Sequence, residues 1–312
     1  MKGIGIILVM LGHQNLPINT LIYSFHMPLY FIISGFFYRE KSILPSIKKD
    51  FRRLIVPYIF ACTLITGNEL LTSIVKRDNS YVYNSIIASI YGSGLSYDGA
   101  LFAQVPSIGA IWFLLALFWT KNIFNILHKY LNDKILFISC IVMSIAASYI
   151  DHNIANIPFS ILPGVSALIF YYLGFHAKNF NLRSYYYLFC ILIWFIAINY
   201  SHLYMVRCSF GCYPIDIIGA CGGTIVVFLI SKYIHGTSVK FSYIFRWFGV
   251  NSLAILCFHA FRINNNIWSY FGINNTIIIV LIKIFFPIIL TLFFYHIKAI
   301  RNMLNIQSIM KE

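Results

Sequence analysis

The chain has 312 residues, of which 60% are hydrophobic and 10% charged, and its mean hydropathy is +0.78. A soluble domain carries about 25% charged residues, so this composition argues against a soluble protein with a large core and favours a multi-span membrane protein. The net charge is +14, but the basic residues cluster at the ends of apolar blocks. This placement predicts contact with membrane lipids and not with nucleic acid.

The apolar blocks predict an all-α integral membrane protein, because each is long enough to cross a bilayer as a helix. About ten transmembrane helices are expected in one domain that covers residues 1–312. The first block is interpreted as a retained span, and a short amino-terminal segment is expected upstream of it. The predicted spans are residues 2–16, 20–38, 54–75, 108–127, 135–150, 160–177, 185–200, 214–234, 247–262 and 276–297.

The distribution of basic residues predicts that both termini are cytoplasmic. With the amino terminus inside, 18 of the 23 lysines and arginines fall in inner connections, 4 fall in outer ones, and Lys283 lies in the last span. Such an excess marks the cytoplasmic side. The longest outer connection, residues 76–107, is rich in Tyr, Ser and Gly and is expected to be an interfacial or re-entrant segment, or else a plain loop helix.

The first span carries two ionisable residues, Lys2 and His13, eleven positions apart. In a helix this separation is about 1,100°, or three turns plus about 20°, with a rise of about 16 Å, so both lie on one face. The face offers a cation at the cytoplasmic mouth and an imidazole deep in the membrane. A snorkelling lysine and a packed histidine would produce the same pattern.

Ionisable side chains inside spans are costly and therefore mark candidate functional positions. Glu69 lies about 15 residues into the third span, at a depth similar to that of His13. It is the candidate for orienting the imidazole, and Asp216 at an outer span end is its rival. Cys208 and Cys212, in an outer loop, are expected either to form a small disulfide or to stay free.

Two blocks resemble the signature of acyltransferase family 3, in the branch of fucose 4-O-acetylase-like and O-antigen O-acetyltransferases. They are "KGIGIILVMLGH" at residues 2–13 and "FHMPLYFIISGFF" at residues 25–37. Weaker similarity continues in the same order through "RRLIVPYIF" at 52–60, "IWFLLALF" at 111–118 and "GVNSLAILCFH" at 249–259.

The resemblance implies about ten helices and the transfer of an acyl group, often acetyl, from cytoplasmic acyl-CoA to a sugar hydroxyl. Lys2 and His13 match the family's motif of a basic residue followed by a histidine, although many members have arginine at the first position. Acyl transfer requires removal of the hydroxyl proton, and an imidazole with a pKa near 6.5 suits that role. His13 is therefore the predicted general base.

The remaining candidates are substrate-binding residues. Lys2, Arg52 and Arg53, together with their neighbours Lys48 and Lys49, are expected to face CoA phosphates, although the membrane topology alone would also explain basic residues at these positions. His26 would contact the donor thioester or the sugar, or cap its helix. Trp112 would stack on a sugar or anchor the span at the interface. Gly35 is expected to allow close helix approach. Asn251 and His259 match the family's late block.

The predicted function is O-acetyl transfer from acetyl-CoA to a lipid-linked or polymeric surface glycan. The reaction would take place in the bacterial inner membrane, and neither a bound cofactor nor a metal site is expected. One alternative is a transporter or flippase for such a glycan, without acyl transfer. Another is a haem protein with paired histidines such as His13 and His259.

Overall fold

A computed structural model describes residues 1–14, 16–97, 104–154, 157–178, 184–237, 239–260 and 275–308. Over these ranges the chain is helical, with two isolated β-bridges and no β-strand, which confirms the all-α prediction. The end of the predicted span 247–262 lies outside these residues. Among the basic residues counted for the orientation, Arg183, Arg262 and Lys311 also lie outside them.

The helices are numbered in chain order over the described residues. They are α1 (Lys2–Gly12), α2 (Asn19–Tyr23), α3 (His26–Phe36), α4 (Ile43–Asp50), α5 (Val56–Lys76), α6 (Ser80–Tyr91), α7 (Trp112–Tyr130), α8 (Asp133–Asn153), α9 (Ile161–Ser166), α10 (Leu168–His176), α11 (Ser184–Tyr200), α12 (Tyr213–Thr237), α13 (Val239–Val250), α14 (Ser252–His259), α15 (Thr276–Phe294) and α16 (Lys298–Leu304). A π-helical turn, Phe51–Ile55, joins α4 to α5.

Five helical segments of the described chain are long and apolar enough to cross a membrane, and a sixth is added if α13 and α14 form one broken span. Three shorter apolar segments, α1, α9 with α10, and α11, accompany them. Each of the ten predicted spans contains helix. These features establish an all-α membrane protein, whereas the count of ten and the side on which the termini lie stay predictions.

Two of the predicted spans are broken helices. Residues 20–38 form α2 and α3, which are separated at Ser24 and Phe25. Pro28 lies in the first turn of α3, where its missing N–H needs no partner. The α13 and α14 axes meet at 61° around Asn251. The segment 76–107 contains helix α6, which packs against α5.

Glycine contacts bring pairs of helices together backbone to backbone. A Cβ on Gly35 of α3 would lie 2.0 Å from the carbonyl oxygen of Tyr171 in α10, and one on Gly174 of α10 would lie 2.1 Å from that of Ile32. The prediction for Gly35 is thus confirmed. Gly3 brings α1 equally close to Phe245 of α13. These contacts hold α3 against α10 and α1 against α13.

The connections separate into two ends of the helix bundle, as α8 demonstrates. At its first residue, Asp133 accepts a hydrogen bond from His176 at 2.8 Å. Near its last turn, Asp151 pairs with Arg207 at 3.3 Å, and that guanidinium lies over the ring of Tyr97. Met1, Asn302, Met303 and Asn305 line one cavity, so the amino-terminal residue and the end of α16 lie close together.

Of the two alternatives predicted for Cys208 and Cys212, the structure has both cysteines free. The Cys208 side chain is buried against Ala147 and Leu162, and burial raises the pKa of its thiol. Cys212 instead precedes α12, where its N–H donates to Ser201. The C-x3-C spacing therefore does not form a cross-link here.

Candidate active site

Helix α1 carries Lys2 as its first residue, and His13 directly follows its last residue, Gly12. The Tyr23 hydroxyl donates a 2.6 Å hydrogen bond to the Gly12 carbonyl. This bond satisfies a carbonyl that the end of a helix leaves without an intrahelical partner. Tyr23 thereby holds the backbone from which His13 projects.

Three histidines from separate parts of the chain surround this point. The ring of His13 lies 5.3 Å from that of His259, at the end of α14. The ring of Tyr23 lies between those of His13 and His26, with centroid distances of 6.5 Å to His13 and 5.2 Å to His26. The sequence singled out each histidine separately, and the fold brings them together.

His26 is buried and presents one nitrogen as an acceptor. Its Nδ1 lies 2.9 Å from the carbonyl oxygen of Ile22. Because a carbonyl only accepts, Nδ1 carries the proton, and the Nε2 of the neutral ring has a free lone pair. His26 thus offers a hydrogen-bond acceptor to the cavity that it lines.

A cavity of about 520 Å³ contains His13, His26, Lys2 and Trp112, and we call it the histidine cavity. Toward the end of the molecule that carries Arg207, its walls mix polar and aromatic side chains with apolar ones. Gly94, Ser96, Ser107 and Tyr204 line that end together with the apolar side chains of Leu95, Leu203, Met205 and Val206. Trp112 is only 5% exposed and packs against Gly94.

A second cavity, of about 1860 Å³, opens among basic side chains, and we call it the basic cavity. None of its described lining residues is acidic. It therefore provides several positive charges next to apolar helix surfaces. The cations that line it are Lys2, Arg52, Arg53, Lys178 and Arg246.

Lys2 lies where the two cavities meet. It lines both, as do Ser252 and Leu253 at the start of α14. Its ammonium lies 5.8 Å from the ring centroid of Phe37, which also lines the basic cavity. The shared face of α1 that the sequence predicted thus connects a basic compartment to one that contains His13.

Arg52 and Arg53 lie on the π-helical turn that precedes α5. Such turns are rare and often occur at functional sites. The nearby carboxylate, Asp50, is buried and paired with Lys121, so it does not neutralise the arginines. Neither arginine takes part in an ion pair within the described part of the chain. Lys48 and Lys49 do not line the basic cavity.

The two candidate acids lie outside both cavity linings. Glu69 is half-buried in α5. Asp216 is 2% exposed and accepts a 3.1 Å hydrogen bond from the N–H of Cys212. The orienting role assigned to Glu69 stays a prediction.

Asn251 is fully buried at the break between α13 and α14 and lines neither cavity. Its amide donates to the carbonyls of Trp247 and Gln307, and its Oδ1 accepts from the Gln307 N–H at 2.7 Å. The side chain thus ties the residues after α16 to the break. A contact between Asn251 and substrate stays a prediction.

The structure also reveals two elements that the sequence did not indicate. Nothing in the stretch "TLIYSFH" distinguishes Tyr23 from other tyrosines. Only its position just before the "FHMPLYF" block could have indicated a role in the site. The π-helical turn has no compositional signature. Both depend on tertiary contacts that hydropathy does not encode.

The helices define an integral membrane protein, and two adjoining cavities share Lys2, one of them lined by His13 and by the buried His26. The sequence model of the acyltransferase family 3 domain matches residues 1–296 of the 312. The chain therefore belongs to this family and is a membrane acyltransferase. Comparison with curated proteins gave no match, and comparison with solved structures gave none either.

Proposed function

We propose that the protein is an O-acetyltransferase of the bacterial inner membrane, acting on a surface polysaccharide or its lipid-linked precursor with acetyl-CoA as donor. The observation that carries this proposal is the position of Lys2, where a basic cavity meets a cavity that contains His13. Family membership supports acyl transfer, and it favours this function over glycan transport without chemistry.

The donor would occupy the basic cavity from the cytoplasmic side. Arg52, Arg53 and Lys178 provide cations for CoA phosphates, which arginine binds through paired N–H groups. The apolar walls suit the acyl-bearing arm. The thioester would then pass Lys2 and enter the histidine cavity toward His13.

The acceptor would enter the histidine cavity from the opposite end of the molecule. That end is lined by Ser96, Ser107 and Tyr204, whose polar atoms suit sugar hydroxyls, and by Trp112, whose indole suits a sugar face. In this arrangement, the acceptor would be acetylated on the outer side of the membrane. The Nε2 of His26 would accept a hydrogen bond from a hydroxyl of the bound sugar.

In the proposed reaction, His13 removes the proton of the acceptor hydroxyl as its oxygen attacks the thioester carbonyl carbon. Lys2, about 16 Å along α1 from His13, would hold the donor where the two cavities adjoin and would not contact the reacting carbonyl group. Collapse of the tetrahedral intermediate breaks the carbon–sulfur bond. The CoA thiolate leaves and receives the proton from His13, and the acetyl ester remains on the sugar.

The test compares surface glycans from cells with the gene, without it, and with a His13→Gln variant. Ester-linked acetyl groups are quantified by mass spectrometry, and membranes are assayed for transfer from radiolabelled acetyl-CoA. Acetyl groups that appear only with the wild-type gene would support the proposal. Identical acetylation in all three strains, combined with altered glycan export, would instead indicate a transporter.

A further inference from the structure

A third cavity, of about 540 Å³, lies between α13, α15 and α16. We call it the α13–α16 cavity. Arg246 and Arg301 line it together with the aromatic rings of Tyr243, Trp247 and Tyr295. The proposed reaction has not used this group of residues.

The wall of this cavity is held in place by a compact set of hydrogen bonds. The Gln307 carbonyl accepts from the Trp247 indole and from the Asn251 amide, each at 3.2 Å. The Gln307 N–H donates to Asn251 in return. Arg301 is positioned by Tyr295, whose ring centroid lies 5.3 Å from the guanidinium carbon. The site is therefore built by fixed backbone and aromatic contacts.

Within the described residues, no acidic side chain compensates the positive charge of the cavity. None of its described lining residues is acidic, and no ion pair within the described ranges includes Arg246 or Arg301. Two guanidinium groups favour a phosphate, which accepts several charge-assisted hydrogen bonds. The adjacent aromatic faces favour a planar ring. A phosphate and a planar ring occur together in a nucleotide.

The α13–α16 cavity adjoins the basic cavity. Arg246 and Val250 line both. Asn302 and Asn305, from the same segment as Arg301, also line the basic cavity. A ligand in the basic cavity can therefore extend a charged end past Arg246 toward Arg301. Acyl-CoA has this division, because an adenosine 3′-phosphate is joined through a diphosphate to the arm that carries the thioester.

We propose that the α13–α16 cavity binds the adenosine 3′-phosphate end of the acyl-CoA donor, with Arg301 as the main phosphate contact. The inference rests on the proposed function, because it assigns a subsite to the proposed donor. It assigns Asn251 a structural part, since this residue fixes the cavity wall through Gln307. Under this proposal, Arg52 and Arg53 bind the diphosphate.

The test uses two donors with the purified protein in lipid vesicles. Acetyl-CoA carries the nucleotide, whereas acetyl-pantetheine has the same thioester without it. Arg301→Ala should raise the KM for acetyl-CoA by roughly 10- to 150-fold, the loss expected for charge-assisted hydrogen bonds. The same variant should leave kcat/KM for acetyl-pantetheine unchanged, which also demonstrates that the variant is folded.

Two further variants sharpen the result. Lys298→Ala removes a charge from the same short helix, but Lys298 is exposed and lines none of the three cavities, so both donors should behave as with wild type. Arg301→Lys keeps the charge but loses the planar fork, and its KM for acetyl-CoA should fall between those of wild type and Arg301→Ala.

Several outcomes would overturn the subsite. One is an equal effect of Arg301→Ala on both donors, and another is no effect on acetyl-CoA. An effect that requires anionic lipid in the vesicles would identify a lipid phosphate as the ligand instead. Direct binding of adenosine 3′,5′-bisphosphate separates the two proposals. If wild type binds it and Arg301→Ala does not, the subsite stands even if no acetyl transfer is found. If wild type does not bind it, the subsite is wrong.

Discussion

At the scale of single residues, His13 combines exposure to a cavity with a backbone held by Tyr23. His13→Gln retains bulk and hydrogen bonding but takes up a proton poorly. If His13 is the general base, this variant should bind acetyl-CoA normally and transfer about 10²–10⁴-fold more slowly, a barrier increase of roughly 3–5.5 kcal/mol. Transfer and donor binding are measured separately on protein purified in detergent.

The matched control is His296→Gln, because His296 is exposed and lies outside the three cavities. It should transfer at the wild-type rate. A histidine that only packs against His259 predicts a different pattern, in which Gln is tolerated and Ala is unstable. Wild-type acetylation by His13→Gln would remove the assignment of the base.

The depth of a residue along a predicted span does not determine whether its side chain faces the site. Glu69 and His13 lie at similar depths along their predicted spans, yet Glu69 does not line the histidine cavity. Depth follows from position in the sequence, whereas the direction in which a side chain points depends on how the helices pack. The motif blocks identified His13, His26 and His259, but Tyr23 became visible only through its contacts with Gly12 and both neighbouring rings.

At the scale of elements, the π-helical turn presents Arg52 and Arg53 to the basic cavity. Replacing both by Ala should raise the KM for acetyl-CoA by roughly 10- to 150-fold if they contact phosphates. The kinetics are measured in vesicles of fixed lipid composition and salt. The matched double variant is Lys48→Ala with Lys49→Ala, in the preceding helix α4, which removes the same charge without touching the cavity.

If the two double variants behave alike, with reduced expression and an unchanged KM, the arginines serve topology only. Salt provides an additional check. A phosphate contact predicts that the difference in KM between wild type and the arginine variant shrinks as ionic strength rises.

The contact between α3 and α10 gives a stability prediction. Gly35→Ala places a methyl group 2.0 Å from a backbone carbonyl of α10, so the helices must separate. We expect a loss of about 1–3 kcal/mol, typical of overpacking, visible as a lower Tm in detergent. Gly67→Ala is the control, because a Cβ at Gly67 meets no atom within 4 Å. It should keep or raise the Tm, since Ala is the better helix former.

Hydropathy located helix in all ten expected spans but not where two of them break. In residues 20–38 the division between α2 and α3 falls at Ser24 and Phe25, and the polar stretch "YSFH" at 23–26 is too short to end a predicted span. The break at Asn251 is held by hydrogen bonds to Gln307, more than fifty positions away. The residues around Asn251 do not indicate so distant a hydrogen-bond partner. The Cys208 side chain likewise packs into a buried apolar cluster. Its spacing from Cys212 in the sequence does not predict this packing.

At the scale of the whole molecule, the charge distribution predicts an orientation that labelling can check. Single cysteines at positions 48, 129 and 240 should react only with reagents that reach the cytoplasmic side. A single cysteine at Arg207 should react only from the outside. The pairing of Arg207 with Asp151, at the opposite end of α8 from Asp133, agrees with this division. Finding positions 129 and 240 on different sides would contradict the count of spans.

The meeting of two cavities at Lys2 also affects the barrier of the membrane to ions. Compartments that reach into a bilayer protein from both ends bring water close together and risk a proton leak. The ammonium of Lys2, where the two cavities adjoin, would repel protons and metal cations, while an uncharged acetyl-bearing arm could still pass. Lys2→Met should therefore collapse a pH gradient faster than wild type in sealed vesicles, and Lys2→Arg should not. On this interpretation, the lysine proposed to hold the donor also prevents a proton leak across the membrane.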